Sequence, residues 1–166
     1  MGRAAGFHLT NLLLHAVNVF WVWAIGREIR FEGQSRRDRE FLGLAGGAIF
    51  LALPSHVEPV YWISARTDLL AAFFVFPALW MWHRFENTGR RRWLAASTTV
   101  LFLGMLSKES ALGAPFYLLG FETIRRWERG GAWRARVAGA AARIGPAFAA
   151  LGAYLILRRL CIGSFA

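Results

Sequence analysis

Six apolar stretches, residues 7–25, 41–57, 69–83, 93–107, 111–121 and 144–157, are separated by short linkers in which nearly all the charge resides. Only the first reaches the ~18 residues that a membrane helix needs by itself. The others run 11 to 17 residues, a length that also suits a buried helix. Their alternation with arginine separates the two readings. The linkers after the first, third and fifth stretches hold Arg27, Arg30, Arg36, Arg37 and Arg39, then Arg84 and Arg90–Arg92, then Arg125, Arg126, Arg129, Arg134 and Arg136. Those are fourteen of the twenty basic residues; the opposite ends carry five, namely Arg3, Arg66, Lys108, Arg158 and Arg159, and Arg143 stands near the start of the last stretch. The bias is that of a polytopic membrane protein with the arginine-rich ends inside and the amino terminus outside. Tryptophan follows the same sides. Seven of the eight, Trp21, Trp23, Trp80, Trp82, Trp93, Trp127 and Trp133, fall at or beside the inner ends, where indole settles among headgroups, and Trp62 falls outside.

Composition narrows the alternatives. The 166 residues are 56% hydrophobic and 18% charged, against the ~25% charged residues of an ordinary soluble domain. A mean hydropathy of +0.36 is too high for a disordered basic tail. The single cysteine, Cys161, rules out a disulfide framework within the chain. A net charge of +10 invites a nucleic-acid reading, but a basic patch for DNA gathers on one face and does not punctuate apolar segments at every second loop. The charge is therefore read as orientation against anionic lipid, with no nucleic-acid partner. No cleavage site follows the first apolar run, and no linker or repeat divides the chain, so residues 1–166 read as one all-α, polytopic transmembrane domain of about six segments.

Proline and polar placement refine this picture. Pro54 and Pro59 end the second segment and predict irregular backbone to Asp68; Pro77 predicts a kink in the third; Pro115 and Pro146 belong in the first turns of helices five and six or kink them. On the first segment His8, Asn11, His15 and Asn18 share one helical face. That stripe should point inward as hydrogen-bonding glue between helices, with the outermost member, His8, a candidate ligand contact. His8 and His15 lie about 10 Å apart along the helix, too far to share a metal.

The outer side concentrates polar chemistry. The loop after the second segment holds His56, Glu58, Arg66 and Asp68, and Lys108 and Glu109 return to the same side two spans later. Charge at membrane depth costs about 2.5–3.5 kcal/mol per residue, so it is usually paired or functional. One reading pairs Arg66 and Lys108 with Asp68 and Glu109 or lets them snorkel, with Asp68 capping helix three and Ser110 helix five. The other has Arg66 and Lys108 grip a lipid-linked phosphate, a guanidinium fork beside an ammonium point charge, while His56 and Glu58 orient sugar or acceptor hydroxyls.

The stretches FHLTNLLLHAVN, HVEPVYWISARTDLL, LSKESALGAPFYLLGFE and YLILRRLCIG together resemble the transmembrane and tetratricopeptide-repeat O-mannosyltransferase-like branch of the GT-C glycosyltransferases. The resemblance covers nearly the whole chain. It is carried by His56-Val-Glu58, Trp62, Arg66-x-Asp68, and Lys108 with Pro115 seven residues on.

The resemblance implies transfer of a sugar from a polyprenyl-phosphate donor to a hydroxyl of a protein or glycan acceptor outside the membrane, an acidic residue of the first outer loop acting as base. It implies that Arg66, Lys108 and Arg158 face the departing phosphate. His56, Glu58, Asp68, Glu109 and His8 then serve the substrates. A divalent metal is possible and no ligand set for one is identified. Leu53 replaces a histidine that family members often carry. The chain begins at what matches the family's second or third span, so the expectation is a fragment whose catalytic first loop and later spans lie elsewhere and whose general base is unknown, Glu58 and Asp68 being fallbacks. The rival is a non-catalytic lipid-phosphate module or scaffold. A channel would want charges along the bundle axis. Nineteen arginines against one lysine suggest a GC-rich bacterial genome, hence an inner-membrane protein with its active side periplasmic.

Overall fold

The computed structural model describes residues 2–53, 66–129 and 133–163, and among them every regular element is a helix, with no strand. Six α-helices follow in order: α1 (Gly2–Glu28), α2 (Arg36–Ala52), α3 (Arg66–Thr88), α4 (Arg91–Ser107), α5 (Ala114–Arg129) and α6 (Trp133–Ile162). A short 3-10 helix, Glu109–Gly113, joins α4 to α5. Each expected segment overlaps one of these α-helices, residues 54–57 of the second lying outside the described residues and 111–113 of the fifth belonging to the 3-10 helix.

Local signals set the boundaries. Ser35 starts α2 with a capping box, its hydroxyl accepting from the Asp38 amide at 3.2 Å while the Asp38 carboxylate accepts from the Ser35 amide at 2.8 Å. Gly89 adopts φ +67 and closes the turn between α3 and α4, its N–H donating to the Phe85 carbonyl at 2.8 Å.

Helix α3 is the centre of the bundle. It packs against α1, α4 and α5; α1 also packs on α2, and α6 lies against α4 and α5. Trp82, Leu101, Met105 and Leu118, each 1% exposed, bring α3, α4 and α5 together, and Ile144, Ala147 and Tyr154 join from α6. Small residues set the close crossings. A Cβ on Gly26 would meet the Gly43 Cα at 2.7 Å, so α1 and α2 touch backbone to backbone.

The outside of the bundle is apolar. Leu12, Leu13 and Phe20 on α1, Leu44 and Leu51 on α2 and Leu160 on α6 are exposed. Among the described residues two helical stretches are long and apolar enough to cross a membrane, Gly6–Glu28 and Val137–Cys161. Only 28% and 22% of their apolar windows are buried, unlike the core helix of a soluble protein, so their outer flanks are of a kind suited to lipid. Helices α2 and α4, at 17 residues, and α5, at 16, are shorter.

Four expectations need correction. Helix α6 begins at Trp133, well before the apolar stretch it contains, so of the two placements expected for Pro146 the one inside the helix is found. Ser110 falls within the 3-10 helix and so is not beside the start of α5, where a cap must stand. Trp82 faces the core, not the headgroups, its indole N–H directed at the Arg143 carbonyl at 3.4 Å. Residues 66–68 are the first turn of α3, where an irregular loop was expected; Pro54 and Pro59 lie outside the described residues.

Candidate functional site at the polar end of the bundle

At the end where α3 begins and α4 stops, polar side chains link four helices. Three positions of the α1 stripe do point inward: Asn11 and Asn18 are fully buried and His15 nearly so. Asn18 Nδ2 donates to the Leu69 carbonyl of α3 at 3.1 Å, and His15 stacks on Phe50 of α2 with ring centroids 5.5 Å apart. His8 is exposed.

Asn11 reaches the first residue of α3. Arg66 Nε donates to Asn11 Oδ1 at 3.2 Å, and the guanidinium lies 4.8 Å from the Phe7 ring centroid. Two residues on, the Asp68 carboxylate accepts from Nζ of Lys108, the residue whose backbone N–H closes the end of α4. Beside Lys108, Glu109 pairs with Arg158 near the end of α6, and Arg158 Nη1 also donates to the Tyr154 hydroxyl at 3.0 Å. The polar contacts thus pass from α1 to α3, across to α4, and on to α6.

Of the residues singled out in the sequence, Arg66, Asp68, Lys108, Glu109 and Arg158 stand at this end; His56 and Glu58 lie outside the described residues. Lys108 pairs with Asp68, one of the two carboxylates that the pairing reading offered. Among the described residues Arg66 pairs with no carboxylate; it donates to the neutral Asn11 amide. Arg66 Nη2 and Arg158 Nε are buried with no hydrogen-bond partner among the described residues. A buried donor left so costs about 1–3 kcal/mol, so both are places where an incoming acceptor gains.

Asn11 and Tyr154 are additions to the set. Asn11 was read only as glue, and Tyr154 lies four residues before Arg158, a helical spacing that was a usable signal. Among the described residues no three His, Cys, Asp or Glu side chains are placed to hold a metal ion.

The opposite end is a separate network. The Glu86 side chain is wholly buried and accepts from Arg125 at 3.0 Å and from Arg143. Glu28 binds Arg84 at 3.0 Å and Asn87 at 2.9 Å, and Arg27 pairs with Glu40 at 2.7 Å. Arg143, ambiguous by sequence, belongs to this arginine-rich end.

Two long, lipid-compatible helices in a bundle charged at both ends define an integral-membrane protein. Its aligned relatives are transferases. Protein O-mannosyl-transferase Tmtc2 of Drosophila melanogaster is 32% identical over 126 residues, covering 72% of this chain and 13% of that protein. TMTC4 of Mus musculus is 32% identical over 121 residues, 64% of this chain and 16% of that protein. Tmtc1 of Drosophila melanogaster is 30% identical over 111 residues, 66% and 12%. The chain belongs to the O-mannosyltransferase-like family and spans less than a fifth of the length of these relatives. These relatives are animal proteins, so the bacterial assignment rests on arginine usage alone. No family model matches the chain, and no solved structure does.

Proposed function

We propose that this chain is part of a GT-C membrane glycosyltransferase and holds a polyprenyl-phosphate-linked sugar at the end of the bundle formed by Arg66, Lys108 and Arg158. Its name-bearing relatives are O-mannosyltransferases, which supports mannosyl transfer to a protein hydroxyl. The observation that carries the reading is the pair of buried guanidinium nitrogens on Arg66 and Arg158 that have no partner among the described residues. Phosphate oxygens are the acceptors that such donors fit.

The chemistry asks for little else from these residues. As the acceptor oxygen bonds to the anomeric carbon, the bond from that carbon to the phosphate oxygen breaks and negative charge accumulates on the phosphate. Fixed cations favour that charge most in the transition state. Lys108 exchanges Asp68 for the phosphate, while Asp68, Glu109 and His8, with His56 and Glu58, serve the sugar and acceptor hydroxyls. The base that removes the acceptor proton is not assigned. About six membrane segments place this face outside, opposite the arginine-rich linkers; for a bacterial chain it is the periplasmic face.

The test is sugar transfer by the full-length protein in membranes carrying Arg66→Ala or Lys108→Ala. Each variant should lose transfer by about 100-fold, the scale of a lost transition-state donor, while inserting normally. Transfer at the parental rate by both would remove the phosphate reading.

A further inference from the structure

The arginine-rich end has a cavity that sugar transfer does not use. It has a volume of about 480 Å³ and opens between the ends of α1 and α3 and the start of α2. Arg27, Arg30, Arg36, Arg39 and Arg84 line it, against only Glu28 and Glu40. Both carboxylates are engaged, Glu40 by Arg27 and Glu28 by Arg84 and Asn87. Arg30, Arg36 and Arg39 make no ion pair among the described residues. Arg39 Nε and Arg84 Nε are buried without a hydrogen-bond partner among the described residues. Such a gathering of cations repels itself until an anion enters.

The shape of the surroundings says which anion. Trp21, Trp23 and Trp80 share the wall of this cavity. Phe20 and Trp23 also line a second groove of about 580 Å³ that runs between α1 and α2 over Ala16, Val19, Leu44, Ala48 and Leu51. This groove carries no charged side chain. A guanidinium cluster continuous with a hydrocarbon-sized trough matches a molecule with an anionic head and an acyl tail. Free phosphate fills only the first half.

We infer that one anionic phospholipid binds here, its phosphate among Arg30, Arg36, Arg39 and Arg84 and an acyl chain along the α1–α2 groove. Basic pockets between membrane helices on the side facing anionic lipid are suited to such headgroups. The lipid joins α1, α2 and α3 at the end remote from Arg66, so it acts on the seating of the helices.

The full-length protein in neutral detergent, titrated with phosphatidylglycerol or phosphatidylcholine of identical chains and read by native mass spectrometry, tests this. One phosphatidylglycerol should be held at least about tenfold more tightly than phosphatidylcholine, and high salt should narrow the difference. Arg36→Gln with Arg39→Gln should weaken phosphatidylglycerol by about 30-fold, two juxtamembrane charges' worth. Ala48→Trp, which fills the groove from its exposed side, should weaken both lipids and preserve the helical circular dichroism. Equal retention of the two lipids, or retention untouched by the double variant, overturns the inference. Competition by glycerol phosphate as effective as that by the lipid also overturns it, in favour of a free-phosphate site.

Discussion

Arg66 and Asn11, 55 positions apart in sequence, meet through a 3.2 Å hydrogen bond that ties the start of α3 to the buried face of α1. The bond holds Nε and leaves Nη2 pointing to no partner among the described residues. Asn11 therefore fixes which edge of the guanidinium is presented. If Arg66 meets the donor phosphate, Asn11→Ala in the full-length protein should lower kcat/KM for the lipid-linked donor by about tenfold, the worth of a hydrogen bond to a charged group. Asn11→Asp, which keeps the acceptor, should restore most of it. Steady-state kinetics in proteoliposomes decide the matter, and an undiminished kcat/KM in the alanine variant would show that Asn11 only packs.

Glu86 faces two arginines with no solvent of its own. Removing that carboxylate leaves two cations in a shared, half-buried place, and breaking a buried pair in this way costs about 3–5 kcal/mol. Glu86→Ala should lower the thermal unfolding midpoint well beyond Glu40→Ala, whose pair with Arg27 is about one-third exposed on each side. Scanning calorimetry or a detergent-based thermal assay measures both. A smaller shift for Glu86 than for Glu40 would contradict the buried-pair account.

The α1–α2 crossing makes opposite forecasts for two glycines. At Gly26 an added methyl would strike the Gly43 backbone, with its Cα at 2.7 Å and N at 3.0 Å, and neither can swing away. Gly26→Ala should cost about 1–3 kcal/mol as overpacking. Gly145, inside α6, has nothing within 4 Å of an added Cβ. Gly145→Ala should stabilise by up to about 1 kcal/mol, because alanine loses less backbone freedom in a helix. Thermal midpoints that move in the same direction would refute the contrast.

The capping box at α2 carries a pH dependence with a definite sign. The hydrogen bonds from the Ser35 hydroxyl and amide hold the Asp38 carboxyl below its ordinary value of 3.8. A depressed acid stabilises the helix start above the unfolded value, and that support is lost as pH falls through the folded one. Amide exchange at the first turn of α2, corrected for intrinsic rates, should quicken below about pH 4 in the parent and be indifferent to pH there in Asp38→Ala. Equal pH profiles in the two would remove Asp38 from the account.

All six helices were legible because an apolar run with charged ends is a signal repeated at every turn of the chain. The inward stripe was equally plain, since Asn11, His15 and Asn18 share a face whatever they touch. Pairings were less accessible. That Arg125 and Arg143 converge on Glu86 depends on how α5 and α6 rotate against α3, and no local pattern records that rotation. Lys108 had two carboxylates within reach by topology, Asp68 and Glu109, and only the crossing of α3 with α4 selects Asp68. The start of α6 was misplaced for a different reason. Its first turns carry Arg134 and Arg136, and a hydropathy boundary marks where lipid contact ends, not where helical hydrogen bonding does.

Pro77 is buried about midway along α3, between Arg66 at one end and Arg84 with Glu86 at the other. A proline supplies no amide hydrogen to the turn before it, so this rod has one missing rung. The two charged ends of the molecule are thus the two ends of one continuous helix, which lacks that one rung and is held just past it by the buried Ala78, Leu79 and Trp82.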